Sequence, residues 1–287
     1  MTAENDRQTL PAGLHFVATP IGHARDVTLR ALDILRDADV LVAEDTRSLR
    51  RLMEIHGVPL SGRQVLSYHD HSGSGVREKL ISLIQSGKSL AYASEAGTPL
   101  VSDPGFALGR DAASAGVNVT SAPGASAALA ALTVSGLPSD CFVFVGFPPT
   151  TKSAREKFLK KFKDIPGTLI LYESPKRLGL LLESASDVLG ADRDAAICRE
   201  LTKKFEEVRR GTLSELVESL SSMTQRGEIV VCIGKGSVTI TDEQVAEELN
   251  QALETMKLKQ AATEVAERLG VSKRDVYQLG LELKSGA

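Results

Sequence analysis

Ser89-Leu90-Ala91-Tyr92-Ala93 runs directly into Ser94-Glu95-Ala96-Gly97-Thr98-Pro99-Leu100-Val101-Ser102-Asp103-Pro104-Gly105, and an apolar-periodic stretch follows from Phe106 to Ala115. The first five residues are short and mostly apolar, as a strand buried on both faces of a parallel sheet has to be. The spacing of Phe106 to Ala115 predicts a helix. Between them lie small and turn-forming residues. Glycine removes the side-chain wall and proline fixes the chain direction, so a ligand can approach the backbone there. Open α/β sheets bind ligands at the carboxyl ends of their strands. This stretch therefore predicts both the fold class and the position of the site.

The same unit recurs on either side. Leu14 to Ala18 reads as a strand, followed by the turn Thr19-Pro20-Ile21-Gly22 and a helix from Val27 to Leu35. Val40 to Ala43 is a second strand, ending in Glu44-Asp45-Thr46-Arg47. A helix from Ser48 to His56 is stopped by Gly57 and Pro59. Gln64 to Ser67 and Val117 to Thr120 add strands, and Val76 to Gln85 adds a helix. Strands alternating with helices predict a mainly parallel sheet. Pro123-Gly124 breaks the chain before an Ala-rich helix that runs to about Ser135.

The second half changes rhythm. Strands fit at Phe142–Val145, Thr168–Leu171, Ala195–Cys198 and Ile229–Ile233, with helices at 152–163, 176–188 and 213–222, which predicts a mixed sheet. Ser237 to Thr241 reads as a polar linker. Gln260 to Leu279 reads as helix, Gly270 turn, Ser272 cap and helix, the pattern of a helix-turn-helix. The expected organisation is an α/β domain with a parallel sheet over 13–122, an α/β domain with a mixed sheet over 123–240, and a helical tail over 241–287.

Composition narrows the function classes. The 287 residues are 42% hydrophobic, and apolar runs such as Ala127 to Leu132 fall far short of a membrane span. The polar first residues resemble neither a signal nor a transit peptide. Cys141, Cys198 and Cys232 show no metal-ligand spacing and no disulfide framework, so a cytoplasmic protein without a metal is expected. A net charge of −3 argues against a uniformly basic surface, but Lys152 to Lys163 holds six cations and one acid. On a helix its Phe158 and Phe162 would face inward and its lysines outward, as a solvated face or a stripe that contacts phosphates. His69-Asp70-His71 pairs imidazoles with a carboxylate, but no complete set of metal ligands lies nearby in sequence. A substrate-lining place for His69 is the better reading.

Taken in order, the motifs are TPIGHARDVT at 19–28, AEDTR at 43–47, SEAGTPLVSDPG at 94–105 and PGASAALAAL at 123–132. VGFPPTTKSAR at 145–155, YESPKR at 172–177, RELTKKFEE at 199–207 and GEIVVCI at 227–233 follow. Their combination resembles the small-subunit ribosomal RNA (cytidine-2′-O)-methyltransferase I family, within the tetrapyrrole methylase superfamily. The resemblance runs from about Leu14 to the end. His23 stands where the family usually has Asn, Glu95 where it has Asp, Pro148 where Leu is common and Ala125 where Pro is common.

The resemblance implies S-adenosylmethionine as methyl donor, held between two α/β domains, and a homodimer acting on small-subunit ribosomal RNA. It implies 2′-O-methylation of a cytidine ribose in the decoding region. Carried over position by position, Ser94, Glu95, Thr98, Pro99, Leu100, Val101 and Ser102 would line the methionine side of the cofactor, with Ser126 and Ala127 beside it. Tyr172, Leu201, Glu228 and Ile229 would close over its adenine and ribose. Pro20, Gly22, Arg47, His69, Lys152, Arg155, Lys176 and Arg177 would meet the substrate. The chain lacks the Gly-rich fingerprint of doubly wound methyltransferases, as that family does.

A sulfonium methyl is already activated, so transfer mainly requires alignment. A ribose hydroxyl is a poor acid, so a nearby group should take its proton. Glu173 and Glu44 are the expected acceptors, with Lys176 or Arg177 as alternatives that would stabilise the developing oxyanion. Glu173 and Arg177 also have the spacing of a structural ion pair. Two other functions were weighed. Methylation of a small tetrapyrrole would call for a roomy cleft without a basic surface. A helix-turn-helix transcription regulator would need a DNA reader, and the tail carries more acids than cations, so no DNA is expected.

Overall fold

A computed structural model describes residues 9–69, 72–102, 104–224, 226–236 and 242–285. The chain forms two compact units, 1–236 and 237–287. The first opens with strand β1 (Gly13–Val17), helix α1 (Leu29–Asp37), β2 (Val40–Ala43), α2 (Thr46–Ile55), β3 (Val65–Ser67) and α3 (Ser74–Gln85). It continues with β4 (Ser89–Ala93), α4 (Phe106–Ser114), β5 (Val119–Ala122) and α5 (Ala127–Ser135). The five strands make one parallel sheet in the order β3-β2-β4-β1-β5.

Side-chain caps and strand register move the boundaries that periodicity alone suggests. Thr28 accepts the Ala31 N–H at 3.1 Å, so α1 starts at Leu29 instead of Val27. Pairing of Leu14 with Val119 starts β5 two residues later than its apolar pattern does.

The strand order places the site. The chain leaves β1 toward β2 and leaves β4 toward β5, so connections from these two adjacent strands depart in opposite directions. A crevice opens at their carboxyl ends, as it does wherever a doubly wound sheet reverses its order. The loops after both strands meet there: Thr19 and Gly97 exchange backbone hydrogen bonds of 2.9 and 3.0 Å. Each face of the sheet has its own core, one built on Leu35, Leu41 and Met53 and the other on Leu80, Tyr92 and Leu108.

The second half contributes β6 (Phe142–Gly146), α6 (Lys152–Lys160), β7 (Thr168–Glu173), α7 (Leu178–Leu189), β8 (Asp194–Arg199), β9 (Glu207–Thr212), α8 (Leu213–Ser219) and β10 (Ile229–Ile233). These strands form a mixed sheet, β6-β7-β10-β8-β9, parallel only between β6 and β7. The predicted helix at 176–188 begins later, after a single 3-10 turn at Pro175–Arg177. Strand β9 was not anticipated. It is an edge strand of sequence Glu-Val-Arg-Arg-Gly-Thr, fully buried at no position, and so it lacks the apolar signature of a buried strand. Helix α5 covers one face of this second sheet, and Ile21 from the first sheet's loop is buried in the same cluster.

The second unit holds α9 (Asp242–Leu253), α10 (Leu258–Leu269) and α11 (Lys273–Ser285) around Val245, Leu249, Val265 and Val276. The predicted pair is α10 and α11, joined at Gly270 in the left-handed conformation (φ +68°). The polar linker 237–241 lies outside the described residues. Among the described residues no helix is long and apolar enough to cross a membrane.

Candidate active site

Where β4 ends, Ser94 is buried and its hydroxyl donates to Gly97 O at 2.5 Å, while Thr19 donates from its hydroxyl to Ser94 O at 3.2 Å. The loop beyond is held in an unusual path. Gly97 has φ +82°, and Leu100 and Ser102 also take positive φ, at +71° and +57°. Across the cleft, Glu200 and Thr202 do the same, at +51° and +63°. Side chains other than glycine enter this region at a cost of about 1–3 kcal/mol each, so the surrounding contacts must enforce it. Only one other such residue, Ser61, occurs among the described residues. Strain is thus concentrated on two facing loops.

These loops bound a cavity of about 470 Å³, within the range of small-molecule sites. Glu95, Thr98, Val101 and Ser102 line it from the first sheet, and Ser126 and Ala127 from the start of α5. Phe147, Tyr172, Glu173, Leu201, Glu228, Ile229 and Val230 line it from the second sheet. Gly146 (φ +71°) ends β6 so close to the facing loop that an added Cβ would lie 3.4 Å from Ser102 Oγ. Tyr172 is packed edge-on by Phe144 and Phe147 at 4.8 and 5.5 Å.

A second, more open groove of about 560 Å³ lies beside the first. It is lined by Thr19, Pro20, Gly22, Asp45, Arg47, Ser48, Arg51, Ser94 and Glu95, among others. Asp45 caps α2 by accepting Arg47 N at 2.8 Å and also binds the Arg47 guanidinium at 3.1 Å. The Arg47 side chain and backbone hydrogen bonds hold the Asp45 carboxyl below the usual carboxylate range. The hydrogen bond to Asp45, and more weakly the charge of Glu95, raises the Arg47 pKa above its ordinary value. Glu95 borders both the cavity and the groove.

A clasp ties the two loops together. His23 N donates to Thr202 Oγ1 at 3.1 Å, and Gly22 lies so close that an added Cβ would meet Lys203 Cγ at 2.5 Å and Leu201 O at 3.1 Å. Lys203 bridges Glu200 at 2.9 Å and Glu228 at 3.0 Å. Burial works against its charge, yet these hydrogen bonds raise its pKa above the ordinary lysine value. The Glu228 N–H and then Lys203 hold Glu200 below the usual range.

The structure gathers most of the predicted cofactor residues: Glu95, Thr98, Val101, Ser102, Ser126, Ala127, Tyr172, Leu201, Glu228 and Ile229 all line the first cavity. Ser94 lines the groove instead, and Pro99 and Leu100 line neither. Pro20, Gly22 and Arg47 line the groove.

The other predicted residues lie elsewhere. Arg155 is only 2% exposed and donates to Ser184 Oγ and Thr150 O, both at 3.0 Å, so it is a packing residue turned away from solvent. Lys176 is exposed but lines neither cavity, as is Lys152, which lies 3.7 Å from Glu156. Arg177 is engaged by Glu173. Glu44 directly follows β2 and lines neither cavity. His69 closes a turn with Ser72 through bonds of 2.8 and 3.0 Å and lines neither cavity, while Asp70 and His71 lie outside the described residues. Arg209 and Arg210 of β9 are committed to the carbonyls of Ser219 and Ser135.

Sequence reading missed Ile21, Phe147, Cys198 and Gly227 in the cavity wall. The phenylalanine had a signal in VGFPPTT, next to the glycine that ends β6. Ile21 and Gly227 lay within the motifs at 19–28 and 227–233, whereas Cys198 reaches the wall through the pairing of β8 with β10.

The comparisons agree with this architecture. Residues 13–217 match the family profile described as Tetrapyrrole (Corrin/Porphyrin) Methylases, and residues 239–284 match that described as RsmI C-terminal HTH domain. The chain is 45% identical over 277 residues to the Ribosomal RNA small subunit methyltransferase I of Mesorhizobium japonicum, covering 96% of this chain and 93% of that protein. To the protein of the same name from Pseudomonas aeruginosa it is 40% identical over 277 residues, covering 94% and 96%. Among solved structures, the methyltransferase CobJ superposes with a TM-score of 0.59 at 18% identity, covering 78% of this chain and 94% of that one. Diphthine synthase gives 0.58 at 18%, covering 77% and 89%. At such identities the superpositions speak for the fold alone. A parallel sheet and a mixed sheet closing on one cavity, the two matched profiles and these full-length relatives together make the chain a member of the ribosomal RNA small subunit methyltransferase I family, built on the tetrapyrrole methylase fold.

Proposed function

We propose that this chain methylates the 2′-hydroxyl of a cytidine ribose in the decoding region of small-subunit ribosomal RNA. In this reading S-adenosylmethionine is the donor, and the protein works in the cytoplasm as a homodimer. The observation that carries the reading is the pairing of an enclosed, largely apolar cavity with an open groove bearing Arg47 and Arg51, the two meeting at Glu95.

The first cavity suits the donor chemically. Tyr172, Leu201, Ile229 and Val230 offer a flat apolar slot for an adenine. The hydroxyls of Thr98, Ser102 and Ser126 stand nearer the methionine end. Ser126 makes no side-chain cap for α5, so the first N–H groups of that helix are left for a carboxylate or a polar ligand atom. Gly227 keeps the wall clear, since an added Cβ would meet the Glu200 side chain at 2.5 Å. The donor supplies an electrophilic methyl group. The protein's part is to hold the acceptor oxygen in line with it and to exclude water.

Outside the cavities, Lys157, Lys160, Lys161 and Lys163 are exposed on and just after α6, while Phe158 and Phe162 stack at 5.0 Å on the inner side. This face suits phosphate contacts, which position an RNA without reading its sequence.

Methyl transfer from labelled S-adenosylmethionine to free ribosomal RNA and to assembled small subunits from cells lacking the protein tests the proposal. Label on a ribose 2′-oxygen in assembled subunits is the expected result. Cofactor binding without label in either substrate would overturn it in favour of a small-molecule acceptor.

A further inference from the structure

Among the described residues, four carboxylates border the cavity or the groove: Glu173 and Glu228 in the cavity, Asp45 in the groove, and Glu95 in both. Three are already engaged. One Glu173 oxygen accepts Ser174 N at 2.7 Å and both Arg177 Nε and Nη2, at 2.7 and 2.6 Å, with the residue 3% exposed. Glu228 pairs with Lys203, and Asp45 with Arg47. Glu95 is exposed and makes no hydrogen bond or ion pair with the described residues, its charge acting only weakly on Arg47 across the groove. The hydroxyls of Thr19 and Ser94 beside it are committed to backbone carbonyls, and among the described residues no histidine lines either cavity.

The backbone at this position is fixed even though the side chain is open. Ser94 is buried at the end of β4, and the paired hydrogen bonds between Thr19 and Gly97 clamp the turn on the other side. A carboxylate there can reach from the wall of the donor cavity into the substrate groove without breaking any structural contact.

We propose that Glu95 is the catalytic base that takes the proton from the acceptor hydroxyl, a role that rests on the ribose-methylation reading above. As the hydroxyl oxygen bonds to the methyl carbon, the methyl–sulfur bond breaks with its electron pair going to sulfur, and the hydroxyl proton passes to a Glu95 carboxylate oxygen. Glu173, by contrast, is a positioning residue that fixes the turn after β7.

The test compares wild type, Glu95→Gln and Glu95→Asp on assembled, unmethylated small subunits. S-adenosylmethionine binding by calorimetry and the melting temperature are measured on the same preparations. Glu95→Gln is expected to lower kcat by about 10²–10⁴-fold, the usual contribution of a general base, with the melting temperature unchanged and any change in KM or cofactor affinity far smaller than the loss in kcat. Glu95→Asp, which keeps the charge on a shorter side chain, is expected to recover much of the rate. Weakened cofactor binding in Glu95→Gln, with turnover near wild type at saturating cofactor, would make Glu95 a cofactor ligand and overturn the proposal. Unchanged kinetics in Glu95→Gln would overturn it too. If wild type itself places no label on a ribose oxygen, the underlying reading fails first, and that result differs from either of the others.

Discussion

The Glu173–Arg177 pair shows how one residue can look catalytic in sequence and be structural in space. Glu173 ends β7 with its side chain 1% exposed, and Arg177 covers it at 27% exposure, bonding at 2.6 Å. A buried carboxylate that loses its cation keeps the cost of desolvation without the compensating attraction. Arg177→Ala is therefore expected to cost about 3–5 kcal/mol of folding stability. Glu173→Gln should cost less, because a neutral amide can still accept the Ser174 N–H and carries no buried charge. Urea denaturation of the two variants measures the difference; equal losses would show that the ion pair is not the main stabilising contact at this turn.

At the scale of elements, two local devices set the site. The loop 19–23 is clasped by the loop 200–206, and Gly22 permits the approach. Gly22→Ala pushes a Cβ to 2.5 Å from Lys203 Cγ and 2.7 Å from Thr202 Oγ1. Overpacking of this kind costs about 1–3 kcal/mol. Weaker S-adenosylmethionine binding and a lower melting temperature are expected, and a variant unchanged in both would show that the clasp is loose.

The second device starts α8. Thr212 Oγ1 accepts Glu215 N at 3.2 Å while the Glu215 carboxylate accepts Thr212 N at 2.8 Å, a reciprocal cap that ends β9 and begins the helix. Thr212→Ala should cost about 1 kcal/mol at neutral pH. The backbone N–H and then the hydroxyl of Thr212 hold the Glu215 carboxyl below its ordinary value. Its contribution is thus present in full above the unfolded-chain value and is lost as pH falls through the folded one. The stability difference between wild type and Glu215→Gln should shrink on acidification through the carboxylate range. A difference that grows toward low pH would contradict the assignment.

At the scale of the whole molecule, chemistry and the helical tail belong to different compact units. Among the described residues, those lining the cavity and the groove all fall between Thr19 and Val230. The tail has its own small core, in which Val265 is fully buried. Val265→Asp puts an unpaired charge into that core and should unfold the tail. Limited proteolysis is expected to remove the residues beyond about 237, with S-adenosylmethionine affinity unchanged. Loss of cofactor binding in this variant would show that the two units depend on each other for stability.

Much of this was legible in the chain itself. Short apolar runs followed by Gly- and Pro-rich turns determined the alternating strands and helices and the parallel first sheet, and they singled out the loop 94–105 that lines the main cavity, because a strand buried on both faces and a tight turn both restrict residue type. The helical pair at 260–279 was equally plain from its Gly270 break. Strand β9 was not, since a charged edge strand is held by its partner's backbone and not by apolar side chains. Tertiary structure alone decided the roles of individual charged groups. Arg155 and Glu44 carry the same residue types as surface or catalytic groups. Only packing turned Arg155 inward against Ser184 and left Glu44 outside both cavities. The spacing of Glu173 and Arg177 already suggested an ion pair, but only the tertiary packing buried that pair in the cavity wall while leaving Glu95 exposed between cavity and groove.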